Sequence, residues 1–69
     1  MKELSVTSRI IKSVYYSRED GQLRIRFKNG QERLFTGVPE EEVEAMVSAT
    51  SPGTHYIDHI RERFTRVAA

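Results

Sequence analysis

Between Leu23 and Lys28 the chain alternates apolar and basic side chains without a break, with Leu23, Ile25 and Phe27 on one parity and Arg24, Arg26 and Lys28 on the other. A strand with that alternation has one buried and one wet face. Cations repeated every second residue on the wet face can meet successive phosphates of a nucleic acid. Arg33 and Phe35 follow shortly after, so a ring and a further cation are within reach of the same surface. Cations beside an exposed aromatic ring bind single strands without demanding one sequence. The same alternation also serves as a plain solvated face that discourages edge-to-edge pairing.

Other reactive side chains form weaker sets. His55 and His59 stand four apart with Glu62 beyond them, a spacing that can approach a zinc ion from one helix face. The chain has no Cys and no third His, so the ligand set is poor and no metal or other cofactor is expected. Glu40, Glu41 and Glu42 read as partners for a helix N-terminus. Ser51-Pro52-Gly53 reads as a helix start, and there is no phosphate loop, nucleophile elbow or zinc-protease pattern. An enzyme is not expected.

A chain of 69 residues leaves room for one core and one domain. Hydrophobic residues at 38% and six aromatics suffice for folding, with a thin stability margin that self-association would widen. The absence of Cys fits a reducing compartment, and neither a leader-length nor a membrane-length apolar run occurs, so a cytoplasmic location is expected, with no membrane partner. Eleven basic against ten acidic residues give a net charge of +1, too little to attract polyanions globally. The distribution is uneven: cations concentrate from Arg9 to Arg33 and from Arg61 to Arg66, around the block Glu40–Glu44.

The elements that must position these residues form an α+β pattern. Arg9–Tyr16 is rich in β-branched and aromatic residues and ends at Ser17–Gly21, which predicts a first strand. Leu23–Phe27 is the second. Asn29-Gly30 suits a type I′ turn into a third strand over about Gln31–Thr36. Gly37-Val38-Pro39 ends the sheet, with Pro39 fitting the first position of a helix whose buried stripe is Val43, Met46 and Val47. Ser51 and Pro52 start a second helix running to about Phe64, with Tyr56, Ile57, Ile60 and Phe64 at helical spacing. The expected architecture is a three-stranded antiparallel meander followed by two helices, with a core over about residues 8–64. A short polar N-terminus and a frayed tail at Val67-Ala68-Ala69 flank it.

A two-residue turn at Asn29-Gly30 pairs Lys28 with Gln31, Arg26 with Arg33 and Arg24 with Phe35, and directly paired residues share a face. The candidate nucleic-acid surface is therefore Arg24, Arg26, Lys28, Arg33 and Phe35, joined by Tyr15 from the first strand. A one-residue bulge turns Phe35 inward and breaks this set apart. Arg61, Arg63 and Arg66 form a second basic strip. Arg61 there is either an ion-pair partner of Glu42 or Glu44 or a phosphate contact.

Ser8, Ile11, Val14, Tyr16, Leu23, Ile25, Phe27, Phe35, Gly37-Val38-Pro39, Ala49, Ser51, Gly53, Tyr56 and Ile60-Arg61 together resemble the KTSC domain, over about Ser8–Phe64. That family is named for the C-terminus of certain lysyl-tRNA synthetases and includes free-standing bacterial and phage proteins. Two positions depart from its pattern. Arg33-Leu34-Phe35 stands where the family has Tyr-x-Tyr, and Ile57 stands where an Asn commonly follows the last aromatic. The resemblance implies the fold, and it suggests RNA as a partner through the synthetase attachment. The reading is a non-catalytic binding module that contacts RNA weakly and salt-dependently. The alternative is a protein-interaction or homodimerisation module that uses a sheet edge or helix face.

Overall fold

The structure, a computed structural model, describes residues 1–67. The expected meander is present as β2 (Ile11–Ser17), β3 (Gln22–Phe27) and β4 (Glu32–Thr36). Two short strands extend it on either side. β1 (Lys2–Leu4) pairs with β2, and β5 (Thr65–Val67) pairs with β4, giving a five-stranded antiparallel sheet in the order β1-β2-β3-β4-β5. The expectation of three strands is corrected to five. Three-residue segments are too short to show alternation, and they gain hydrogen bonds only once the meander offers an edge. Val67 therefore belongs to a strand and not to a frayed tail; Ala68 and Ala69 lie outside the described residues.

The turn after β3 is not the one expected. A type I′ turn needs positive φ at both central residues, and Asn29 does not have it, whereas Gly30 does, at φ +91°. The loop is instead the three residues Lys28-Asn29-Gly30. Gly30 N–H donates to Phe27 O (3.0 Å), Phe27 N–H donates to Gln31 O (2.8 Å), and Asn29 Oδ1 accepts from Gln31 N–H (3.0 Å). One added loop residue shifts the register by one, so Leu23 pairs with Phe35, Arg24 with Leu34 and Ile25 with Arg33. Phe35 is turned inward, at 0% exposure, which overturns its placement beside Arg24 on an open face.

Helix α1 (Glu40–Ser48) starts one residue later than expected. Pro39 takes the N-cap position with extended backbone, Glu40–Glu42 fill the first turn, and Val43 and Met46 are buried. Helix α2 (Pro52–His55) has Pro52 at its start as expected, then widens into a π turn at Tyr56–Ile60. The helical course ends there and not at Phe64. Tyr56 and Ile60 are buried, while Phe64 packs at the core margin. The core lies between this helical layer and one sheet face, where Ile11, Val14, Tyr16, Leu23, Ile25 and Phe35 meet Val38, Val43, Met46, Tyr56 and Ile60. The other face stays open.

The joint between the layers is Gly37-Val38-Pro39. Val38 N–H donates to Gly21 O (3.0 Å), and the Tyr16 hydroxyl donates to Val38 O (2.6 Å) in a buried bond. Val38 is thus held at both backbone polar groups while its side chain enters the core. Removing the hydroxyl leaves a buried carbonyl unpaired, which costs about 1–3 kcal/mol, a large share of the about 3–5 kcal/mol that a core this small supplies. Burial first, then nearby Glu40, raises the Tyr16 pKa above 10.0, with Arg18 opposing. A raised value means that this contribution is complete below the ordinary tyrosine range and is lost as pH climbs through the folded value. Tyr16→Phe is expected to lower the unfolding free energy at neutral pH by that amount, read as a lower urea midpoint, and to reduce the decline in stability at alkaline pH; an unchanged neutral midpoint would show that the bond is not holding the joint.

Candidate nucleic-acid interface

The register shift divides the cations between two faces. Arg24 and Arg26 remain on the open face, where Tyr15 pairs directly with Arg24. Glu32 sits opposite Arg26 and lies 3.9 Å from both guanidiniums, so one carboxylate is shared between them. Arg33 lies on the covered side opposite Ile25, half-buried, and donates to Glu32 O and Gln31 Oε1, both at 2.9 Å. The single surface expected from Arg24, Arg26, Lys28, Arg33 and Phe35 does not form. Arg33 and Lys28 join Arg61 on the helical side instead.

There, where the helical layer stops short of the end of the sheet, a cleft of about 600 Å³ opens. Arg9, Lys28, Arg33 and Arg61 surround it, Phe27 and Tyr56 form its floor, and among the described residues no carboxylate lines it. Four converging cations give a net +1 protein a local cationic site. The positioning is backbone-driven. Lys28 N–H donates to Ile10 O (2.9 Å), which ties the turn to the segment carrying Arg9. The π turn closes with Arg61 N–H donating to Tyr56 O (2.9 Å). In an α-helix these residues would stand about 140° apart round the axis, so the wider turn draws Arg61 back towards the side of Tyr56.

The floor continues into the core. Tyr56, 5% exposed, makes edge-on contacts with Phe27 (5.3 Å between centroids) and Phe35 (5.9 Å). Phe35 thus supports the floor from below and offers no platform of its own. Burial raises the Tyr56 phenol pKa, and Arg33, Arg61 and Arg66 oppose that rise, a sign of the positive potential around its hydroxyl. Among the described residues Arg61 forms an ion pair with the neighbouring Glu62 alone, at 3.9 Å with both side chains exposed, while Arg63 makes the bond to Glu42 (3.2 Å). The ion pair with α1 falls to Arg63, leaving Arg61 at the cleft.

Arg9, Phe27 and Tyr56 were not expected at the site. The parity of Phe27 marks it for the covered side, but only the short helical layer leaves its ring partly uncovered. A second concavity, about 740 Å³, adjoins the first and shares Arg9, Ile10, Lys28 and Ile57 with it. Of the residues carrying the family resemblance, Phe27, Tyr56 and Arg61 line the first concavity and Ser8, Ser51 and Gly53 the second.

Sheet, partial helical cover and cleft define a small two-layer α+β domain with a cationic, aromatic-floored concavity. The KTSC domain matches residues 7–64, and the chain belongs to that family. Among solved structures it is similar to a KTSC domain protein from Yersinia pestis, with a TM-score of 0.88 at 26% sequence identity, covering 99% of this chain and 96% of that one. No curated protein matches it. No described helix is long and apolar enough to cross a membrane.

The histidines do not gather a third ligand, and among the described residues no group of three potential metal ligands occurs. His55 and His59 rings lie 4.6 Å apart, and His55 Nε2 is buried 4.0 Å from Glu42 Oε2 without a hydrogen-bond partner among the described residues. Burial, then His59, lowers the His55 pKa below 6.5, against the pull of Glu42 and Asp58. The folded state thus resists protonation, so stability present above the ordinary histidine pKa is lost as pH falls through the folded value. Urea midpoints should decline from about pH 7.5 to about pH 5, and His55→Gln should flatten that decline; an equal decline in the variant would assign the effect elsewhere.

Proposed function

We propose that this chain is a non-catalytic, cytoplasmic binding module that holds single-stranded nucleic acid, RNA foremost, in the cleft over Phe27 and Tyr56. The observation that carries this reading is the convergence of Arg9, Lys28, Arg33 and Arg61 on a partly exposed ring, with no carboxylate among the described lining residues. Guanidiniums and the Lys28 ammonium take phosphate oxygens, and the uncovered part of Phe27 meets a base. Arg33, already braced by Gln31, loses little freedom on binding. These contacts are to phosphates and to the face of a base, so binding is sequence-tolerant and micromolar or weaker. Arg24 and Arg26, sharing Glu32, stay outside the site.

Four phosphate contacts predict a log–log salt slope of about −3 on a single strand. An amide-shift titration with a short mixed-sequence single-stranded RNA, at low and at physiological salt, is expected to move Phe27, Lys28, Arg33, Tyr56 and Arg61 and to weaken as salt rises. Arg61→Ala is expected to weaken binding about tenfold or more, the loss of one charged contact, and Arg24→Ala to leave it unchanged. No shift at low salt sinks the proposal. Salt-insensitive self-association through Ile10 and Ile57 would favour the protein-interaction reading instead.

A further inference from the structure

Where the two concavities meet, Ile10 and Ile57 stand out at 42% and 43% exposure; apart from Met1 they are the large apolar side chains left exposed among the described residues. Ile10 is fixed from both sides, since its N–H donates to Ser8 Oγ (3.2 Å) and its C=O accepts from Lys28 N–H. Its side chain fills the space left by Gly53, where a Cβ would come within 2.7 Å of Ile10 Cγ1. The pair is therefore a preformed apolar ridge between two compartments, each within the size range of ligand sites.

The second compartment differs chemically from the first. Its cations are the shared Arg9 and Lys28, and the remainder of its polar lining is hydroxyl: Thr7, Ser8, Thr50, Ser51 and Thr54. Ser8 Oγ already accepts the N–H groups of Ile10 and Ile11, which leaves its own proton free to donate outward. A wall of hydroxyls both donates and accepts, and so does the ribose 2′-hydroxyl, the group that separates RNA from DNA.

Resting on the nucleic-acid reading above, we infer that the groove holds two adjoining nucleotides, one on each side of the ridge. The hydroxyl-lined compartment receives the ribose of the second and makes the chain prefer RNA to DNA. The base of that nucleotide lies against Ile10 and Ile57, its phosphate stays with Arg9 and Lys28, and its 2′-hydroxyl bonds to the threonine wall. A deoxyribose leaves the wall without that partner.

The test compares hexamers of oligo(rU) and oligo(dU), which share bases and charge, by affinity and by amide shifts, on the wild type and on a Thr7→Val/Thr50→Val double variant. Both positions are exposed and the changes nearly isosteric, so the fold is retained. The wild type is expected to bind oligo(rU) at least about fivefold tighter, the equivalent of one neutral hydrogen bond, with shifts at Thr7, Thr50 and Thr54. The double variant is expected to lose that preference through weaker RNA binding while its DNA affinity holds. Equal binding of both hexamers, with shifts confined to Phe27, Arg33 and Arg61, overturns this inference and leaves the single-strand reading intact. A preference that survives in the double variant overturns the hydroxyl assignment, and no binding of either hexamer overturns both readings.

Discussion

The double hold on Val38 sets the geometry of everything downstream. A chain leaving an edge of a meander can continue in many directions, and each costs backbone freedom to fix. Gly37, at φ +71°, makes the turn off the sheet. The Gly21 carbonyl and the Tyr16 hydroxyl then hold the next residue, and Pro39 launches α1 across one sheet face. Gly21 itself lies so close that an added Cβ would stand 3.3 Å from Val38 N. From that point the lengths of α1, α2 and the π turn decide how far the helical layer reaches. It covers Phe35 and leaves Phe27 partly open, so the cleft is the uncovered remainder of the core.

Much of this was legible in the sequence, and its failures share a cause. β3 carries a period-two pattern, β2 a β-branched and aromatic run and β4 the turn signal before it, and α1 has its acidic first turn and its Val43–Met46 stripe. β1 and β5 carry no pattern because three residues cannot, and their pairing is decided by neighbours distant in sequence. The site was misplaced by a single residue. Asn29-Gly30 permits a two-residue loop or the end of a three-residue one, and local sequence does not choose between them. That choice reverses the parity of β4 against β3, sending Phe35 and Arg33 to the covered side and Leu34 to the open one. The π turn was illegible for a related reason: Tyr56–Ile60 has ordinary helical spacing, and only packing in the folded chain selects the wider turn.

The distribution of charge explains how a protein with net charge +1 presents a cationic site. Glu32 takes Arg24 and Arg26, Glu40 takes Arg18 at 3.5 Å, and Glu42 takes Arg63. Exposed pairs of this kind contribute about 0–1 kcal/mol each, so their consequence for stability is small. Their consequence for the field is larger. Acidic side chains are spent on the open face and along α1, and none lines the cleft where Arg9, Lys28, Arg33 and Arg61 converge. A phosphate there meets Arg9, Lys28 and Arg33 without an acidic side chain in the lining, and Arg61 beside the exposed Glu62, all within about a Debye length of 8 Å at physiological salt.

Economy of size ties stability to recognition. The row Phe35, Tyr56, Phe27 runs from the centre of the core to the cleft floor, and Tyr56 touches both ends. A domain of this length has too few aromatics to keep separate sets for packing and for binding. Loss of the Tyr56 ring would remove core contacts and the floor together, so a binding defect there would not distinguish the two roles. The cations are different. Arg9, Lys28 and Arg61 are exposed and contribute little to the core, while their backbone neighbours, through Ile10 O and Tyr56 O, hold them in place. Affinity can therefore change through these side chains without disturbing the scaffold, whereas the aromatic floor is constrained by folding before any ligand acts on it.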